Sequence, residues 1–131
     1  MKLIKTIFQI FKKPQPPPLP DILFPGLVSS KQFAALKPGQ RMQAVMIVGD
    51  TGDVKFYKFM QWCILRDPDP GVQFAALKRL HHFSGQADLV SFLQQLDTSA
   101  NKSNLEPYLS MALHRLGVIT NDELKSRLNG V

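Results

Sequence analysis

The chain has 131 residues, 44% of them apolar, and a formal net charge of +6 at pH 7. A chain of this length forms one domain with a core of ordinary size, because roughly two-thirds of its unfolded surface becomes buried. The single cysteine, Cys63, excludes an intramolecular disulfide and a cysteine-ligated metal cluster, and its apolar neighbours predict that it is buried in a helix. This cysteine usage fits a reducing compartment, so we expect a cytoplasmic protein, with membrane association as an open alternative.

The positive charge is concentrated at the N-terminus. Lys2, Lys5, Lys12 and Lys13 contribute +4, which leaves 12 basic groups against 10 acidic groups in the other 118 residues. A surface that follows a nucleic-acid backbone needs a basic excess within the folded domain. The near balance of charge in the rest of the chain therefore argues against nucleic acid as the partner.

Residues 1–13 are predicted to form an amphipathic basic helix. Such a helix can lie in a membrane interface, where apolar burial adds to the attraction by anionic lipids. The segment is too short to span a bilayer, and Pro14 replaces the small-residue site at which a signal peptide is cleaved. The helix therefore docks on its own domain or another copy, or it binds a protein partner or a membrane surface. Its predicted contact residues are Leu3, Ile4, Ile7, Phe8 and Phe11, with Lys2, Lys5, Lys12 and Lys13.

Residues 14–28 are predicted to be a proline-rich linker and arm. The run from Pro14 to Pro20 fixes φ and removes backbone donors, which favours an extended and semi-rigid spacer. The same string can also be a ligand for aromatic-lined grooves. The apolar segment 22–33 is expected to cover Met46 and Ile47, which alignment of the helices places on an outer surface.

Residues 29–131 are predicted to form a helical repeat domain. The block at Val72 aligns with the block at Tyr108 at a shift of 36 residues, and Pro38 aligns with Pro70 at a shift of 32 residues. Such spacing is typical of paired-helix repeats, in which each unit buries its apolar surface against a neighbour. Helices are expected near 29–36, 38–49, 53–66, 70–83, 86–97, 104–117 and 121–129, with a break at 49–52, a capped start at Thr120, and a short strand at 44–48 as an alternative.

One helix pair carries a pattern of a known kind. Its first helix contains Asp67-Pro68-Asp69-Pro70, then Val72, Ala75-Ala76 and Leu80, and its second spans 87–97. This pattern resembles a HEAT repeat of the armadillo/HEAT type, and the resemblance covers residues 38–129. It departs from the family at Gln73, where a basic residue is common. The resemblance implies an all-α fold, a short solenoid of antiparallel helix pairs and an interaction scaffold without catalytic residues.

Alignment of the repeats places five polar residues on one surface, which we call the polar ridge. The ridge would bind an acidic peptide or a phosphate, or else remain solvated. Ala75 is expected to share this outer surface. No metal site is predicted, because the adjacent His81 and His82 point about 100° apart on a helix and no carboxylate or thiol lies at ligand spacing. The polar ridge consists of Lys78, Arg79, His82, His114 and Arg115.

The motifs of catalysis are missing from the sequence. It contains no glycine-rich phosphate loop, no nucleophile elbow and no paired-histidine motif, so we predict no catalytic residue, no metal and no cofactor. We expect a non-enzymatic scaffold or adaptor that binds a protein partner or associates with itself. The alternatives are a peripheral membrane protein attached through residues 1–13 and a helical repeat protein that binds nucleic acid.

Overall fold

The computed structural model describes residues 30–129, so the predictions for residues 1–13 and 14–28 lie outside the described part. Every regular element within this part is helical, which confirms the all-α class there. The strand considered at 44–48 is wrong, because these residues lie within a helix. The helices are α1 (Ser30–Ala35), α2 (Pro38–Asp50), a 3-10 helix (Val54–Phe56) leading into α3 (Tyr57–Arg66), α4 (Pro70–Arg79) with a 3-10 extension (Leu80–Phe83), α5 (Leu89–Asp97), α6 (Lys102–Leu105), α7 (Tyr108–Arg115) and α8 (Asn121–Leu128).

Side-chain caps set the starts of two helices. The Asp69 carboxylate accepts a hydrogen bond from the Val72 amide at 3.2 Å, and Pro70 occupies the first turn of α4. The Thr120 hydroxyl accepts from the Glu123 amide at 3.1 Å, which confirms the predicted capped start of α8. Each cap satisfies an amide that the first helical turn leaves without a partner.

One predicted helix is divided in two. The segment expected near 104–117 forms α6 and α7, separated at Glu106 and Pro107. A residue that precedes proline avoids the helical region, and Glu106 accordingly has an extended backbone with φ −78° and ψ 149°. Helix-forming residues on either side of such a position cannot join into one helix.

Helices α2, α4 and α7 pack side by side in chain order. The contacts advance together along both helices of each pair, so the three helices run parallel, and the chain returns between them through α3 and through α5 with α6. Helix α3 packs on α4, and α5 packs on α7. The contacting residues are Met42 with Gly71, Asp50 with Arg79, Phe74 with Tyr108, and His81 with Arg115.

Cys63 belongs to the core that these helices enclose. It is fully buried, as the sequence predicts, and burial raises the pKa of its thiol well above the usual value, with the Asp67 carboxylate adding to this shift. The thiol is therefore protonated at neutral pH and serves in packing. Among the other fully buried side chains are Phe33, Phe59, Leu77, Leu80, Leu93, Leu109 and Leu113.

A buried ion pair joins α2 to the turn between α3 and α4. The Arg41 guanidinium donates from Nε to Asp67 Oδ2 at 3.0 Å and from Nη2 to Asp67 Oδ1 at 3.2 Å. Its Nη1 donates to the Leu36 carbonyl at 2.7 Å, and Asp67 Oδ1 also accepts from the Asp69 amide at 3.0 Å. Both charged groups are thus paired and hydrogen-bonded, which is the condition for burying them.

Gln73 on α4 forms a hydrogen bond to the C-terminal end of α3. Its Nε2 donates to the Ile64 carbonyl at 3.1 Å. It therefore satisfies one of the carbonyls that the C-terminal end of α3 leaves without an intrahelical partner.

Gly49 marks a close approach of α2 and α4. The sequence indicates a helix break at 49–52, but α2 continues through Asp50, and the turn falls at Thr51 and Gly52. Gly52 adopts a φ of +63°, a conformation that favours glycine. A Cβ added at Gly49 would lie 2.8 Å from the Arg79 Cβ. Glycine at position 49 therefore serves helix packing, which the sequence pattern alone does not reveal.

We expect Gly49→Ala to lower the free energy of unfolding by about 1–3 kcal/mol, because the added methyl group overlaps a Cβ that is fixed to α4. The matched change Gly39→Ala places its methyl group in open space near the start of α2, and we expect it to raise the free energy of unfolding by up to about 1 kcal/mol. Urea unfolding followed by circular dichroism measures both values. Equal changes for the two variants would contradict the close approach.

A second ionic cluster fixes α8 to the end of α5. Arg127 Nη1 donates to Asp97 Oδ1 at 2.8 Å and Nη2 to Asp97 Oδ2 at 3.1 Å, and Lys102 Nζ lies 3.2 Å from Asp97 Oδ1. The hydrogen bonds from Arg127 hold the pKa of Asp97 below its ordinary value of 3.8. The ionised carboxylate is therefore favoured in the folded state.

This cluster predicts a pH-dependent contribution to stability. Because the pKa of Asp97 is lower in the folded chain than in the unfolded chain, its contribution is present above the ordinary pKa and is lost as pH falls through the folded-state pKa. We expect Asp97→Asn to lower the free energy of unfolding by about 1–3 kcal/mol at pH 7. The difference from the wild type should shrink as pH falls below 3.8. Urea unfolding at pH 7 and pH 3 tests this, and the same difference at both pH values would refute it.

Candidate functional site

An open cleft of ≈ 780 Å³ lies between α4, its 3-10 extension and α7. Asp50 from α2 and Leu124 from α8 complete its lining. We call it the basic cleft. The structure brings all five polar-ridge residues to it, namely Lys78, Arg79, His82, His114 and Arg115. It also adds residues that the site prediction omitted: Asp50, His81, Tyr108 and Met111.

Part of the lining of the basic cleft is apolar, and we call this part the apolar base. Leu77, Ala112 and Leu124 line it, and Met111 is 46% exposed, which makes it one of the most exposed large apolar side chains in the described part. Tyr108 forms part of the wall, and its ring packs on Phe74 with centroids 4.5 Å apart. The lining therefore offers both apolar area and charge.

One of the three cations in the basic cleft is already neutralised. Arg79 Nε donates to Asp50 Oδ1 at 3.1 Å, and His82 Nε2 lies 3.8 Å from the same oxygen. The Arg79 side chain is mostly buried against α2, whereas the carboxylate of Asp50 is exposed. Arg79 therefore contributes little free positive charge to a ligand.

The other two cations contact rings rather than carboxylates. Lys78 Nζ lies 4.7 Å from the centroid of the Tyr108 ring, which is a cation–π contact. Arg115 Nη1 lies 3.2 Å from both ring nitrogens of His81. Within residues 30–129, neither Lys78 nor Arg115 forms an ion pair with an acidic side chain. Their charges remain available to an anionic ligand.

The histidines of the basic cleft are arranged differently from the prediction. The rings of His81 and His82 were expected to point apart, but their centroids are 4.1 Å apart on the 3-10 extension. Burial lowers the pKa of His81 below its ordinary value of 6.5, and His82 and Arg115 add to this shift. His81 is therefore neutral at pH 7. In the described part of the chain, no group of three histidine, cysteine or acidic residues is placed to hold a metal ion.

Two other surface predictions need correction. Ala75 was expected on the outer surface but is only 5% exposed, because α4 has α2 on one side and α7 on the other. Met46 was also expected there, yet it packs partly buried against the core, while Ile47 is 47% exposed. Phe33 belongs to the segment that was expected to cover these two residues. It is buried and packs edge-on against Phe59, with the ring centroids 4.9 Å apart.

Comparisons with known proteins give no family assignment. No protein-family model matches the chain, and searches of curated proteins and of solved structures find no significant match. Among the helices of residues 30–129, none is long and apolar enough to cross a membrane.

Proposed function

We propose that this chain is a non-enzymatic interaction scaffold that binds a protein partner in the basic cleft. The observation that carries this proposal is the combination, in one open cleft, of an apolar base with two cations that lack a carboxylate partner. A protein interface typically has such an apolar centre with polar groups around it. Exposed apolar area next to unpaired charge is a reason for a surface to bind another molecule.

We further propose that the scaffold is a short stack of HEAT-like helix pairs. The parallel succession of α2, α4 and α7 supports this, with α3 returning the chain between the first two and α5 with α6 between the last two. Helix α3 packs on α4 and α5 packs on α7, so each returning helix contacts the next helix of the succession. In such a stack the basic cleft spans two adjacent units, so that both contribute to binding.

A charge-reversal experiment tests the partner site. The double variant Lys78→Glu with Arg115→Glu reverses the two available cations, and Lys58→Glu with Arg66→Glu makes the same charge change at exposed residues of α3 outside the cleft. A candidate partner captured on the full chain is purified and titrated into each protein by calorimetry. We expect a stoichiometric complex with the wild type and with the control, and at least about tenfold weaker binding by the cleft variant.

Two results would contradict this function. The first is that no captured protein forms a stoichiometric complex once purified. The second is that the cleft variant and the α3 control bind the partner equally well, which would place the interaction elsewhere on the chain. Circular dichroism and urea unfolding of both variants establish that they are folded before binding is compared.

Attachment to a membrane surface is a second candidate function. It is favoured by the three- and four-residue spacing of Leu3, Ile7, Phe8 and Phe11 among the N-terminal lysines. We expect the full chain to sediment with phosphatidylserine vesicles at low salt and less at high salt. The double variant Ile7→Glu with Phe8→Glu should stay in the supernatant. Equal sedimentation of the variant and the wild type would exclude this attachment.

A further inference from the structure

We infer that the basic cleft recognises an acidic peptide segment in which two carboxylates flank an apolar side chain. This inference rests on the proposed function, because it assigns a chemical class to the partner of that site. It follows from the spacing of the two available cations, from the side chain that lies between them, and from what already surrounds each group.

The two cations lie near opposite ends of α7. Lys78 contacts the ring of Tyr108, the first residue of the helix, and Arg115 is the last residue. Seven residues of α-helix span roughly 10 Å at about 1.5 Å per residue. An extended peptide advances about 3.3 Å per residue. Because side chains alternate between the two faces of an extended segment, two carboxylates four residues apart lie on one face with the middle residue between them, and their separation of about 13 Å is close enough for flexible side chains to reach both cations.

The apolar part of the ligand is assigned by Met111. This residue lies between Tyr108 and Arg115 on α7, is 46% exposed, and borders the base formed by Leu77, Ala112 and Leu124. A methionine side chain is unbranched and adapts to differently shaped apolar groups. An apolar residue between the two carboxylates of the ligand would cover it.

Charge and packing argue against other occupants. The N-terminal segment 1–13 of this chain carries four lysines, and the cations of the cleft would repel it. Nucleic acid is disfavoured because the Tyr108 ring already contacts Phe74 and Lys78, so it is not free to stack on a base. The carboxylate of Asp50 also interrupts any continuous basic track.

Asp50 provides a variant that should bind more tightly. Its exposed carboxylate neutralises Arg79 at the edge of the cleft, so Asp50→Asn would remove a negative charge from the lining and leave the charge of Arg79 uncompensated. We expect roughly two- to fivefold tighter binding of an acidic peptide at low salt. Circular dichroism and urea unfolding of Asp50→Asn establish that it is folded, so that the gain of affinity is separated from a loss of structure.

The test is a selection from a random library of 12-residue peptides on the full chain. Enriched peptides are synthesised with a fluorescein label, and their affinities are measured by fluorescence anisotropy. We expect acidic sequences with an apolar residue between the acidic ones. Lys78→Glu with Arg115→Glu should bind them at least about tenfold more weakly, Met111→Ala roughly threefold to tenfold more weakly, and the Lys58→Glu with Arg66→Glu control within about twofold of the wild type.

Several outcomes would overturn the inference: no enrichment, enrichment of neutral or basic peptides, equal binding by the wild type and the cleft variant, or no gain with Asp50→Asn. Neutral peptides that displace the purified partner would leave the scaffold function intact and remove only the acidic ligand. A labelled single-stranded or duplex oligonucleotide is titrated in parallel. If it binds the wild type more tightly than the peptides do and fails to bind the cleft variant, the cleft is a nucleic-acid site, and both proposals fail.

Discussion

Replacing Asp67 by asparagine is expected to lower the free energy of unfolding by about 3–5 kcal/mol, which is the usual cost of removing one partner from a buried ion pair. The Asp67 side chain is 1% exposed and that of Arg41 is 10% exposed, so the remaining guanidinium would stay buried with a neutral neighbour. Asparagine also replaces one of the two charged oxygens that accept from Arg41 with a donor group. Urea unfolding followed by circular dichroism measures the loss.

Two further variants test whether this loss of stability comes from the broken ion pair. Asp122→Asn makes the same chemical change at an exposed position in the first turn of α8, and we expect it to cost no more than about 1 kcal/mol. Adding Arg41→Met to Asp67→Asn removes the unpaired buried cation, so the double variant should be more stable than Asp67→Asn alone. If Asp67→Asn costs no more than Asp122→Asn, the ion pair is not a major contributor to stability.

Leu113→Ala should be the other strongly destabilising change, by about 2–5 kcal/mol. Leu113 is fully buried on α7, a helix that packs on α4, α5, α6 and α8. A cavity at this position would be surrounded by several helices that cannot all move in to fill it. Differential scanning calorimetry and urea unfolding measure the effect.

The matched control for Leu113→Ala lies on the same helix. Met111 is half-exposed in the basic cleft, and we expect Met111→Ala to change the free energy of unfolding by no more than about 0.5 kcal/mol. The two variants should therefore separate stability from binding, because Met111→Ala weakens only the acidic peptide. A loss of stability at Met111 as large as that at Leu113 would mean that the two sides of α7 are not distinct.

The positions of the helices depend largely on local signals, which is why the sequence predicts them well. Pro70 with Asp69, and Thr120 with its neighbours, form helix starts from residues that are adjacent in the chain. The separation of α6 from α7 also has a local cause, namely Pro107, although the pattern of apolar residues alone favours one helix. Interactions within one helical turn depend on residues that are close in the sequence and not on the rest of the fold.

The polar ridge was placed by repeat alignment, and the structure brings its five residues to one cleft. The alignment could do this because equivalent positions in parallel neighbouring helices lie side by side. The alignment could not predict which of these side chains are paired with other residues of the protein. Arg79 is neutralised by Asp50, which is 29 positions away, and Arg115 contacts His81, which is 34 positions away. Which cations are available to a ligand therefore depends on the tertiary contacts.

Local sequence patterns were sufficient to predict that residues 30–129 are helical, where most of these helices begin and end, and that the five polar-ridge residues lie near one another, because capping and helical periodicity act within a few residues. Three features follow instead from the packing of the helices: Gly49 is a packing contact rather than a helix break, Arg41 pairs with Asp67, and Ala75 is buried. Each of these depends on a close approach between helices, and the distance between two helices is set by the packing of side chains that are far apart in the chain.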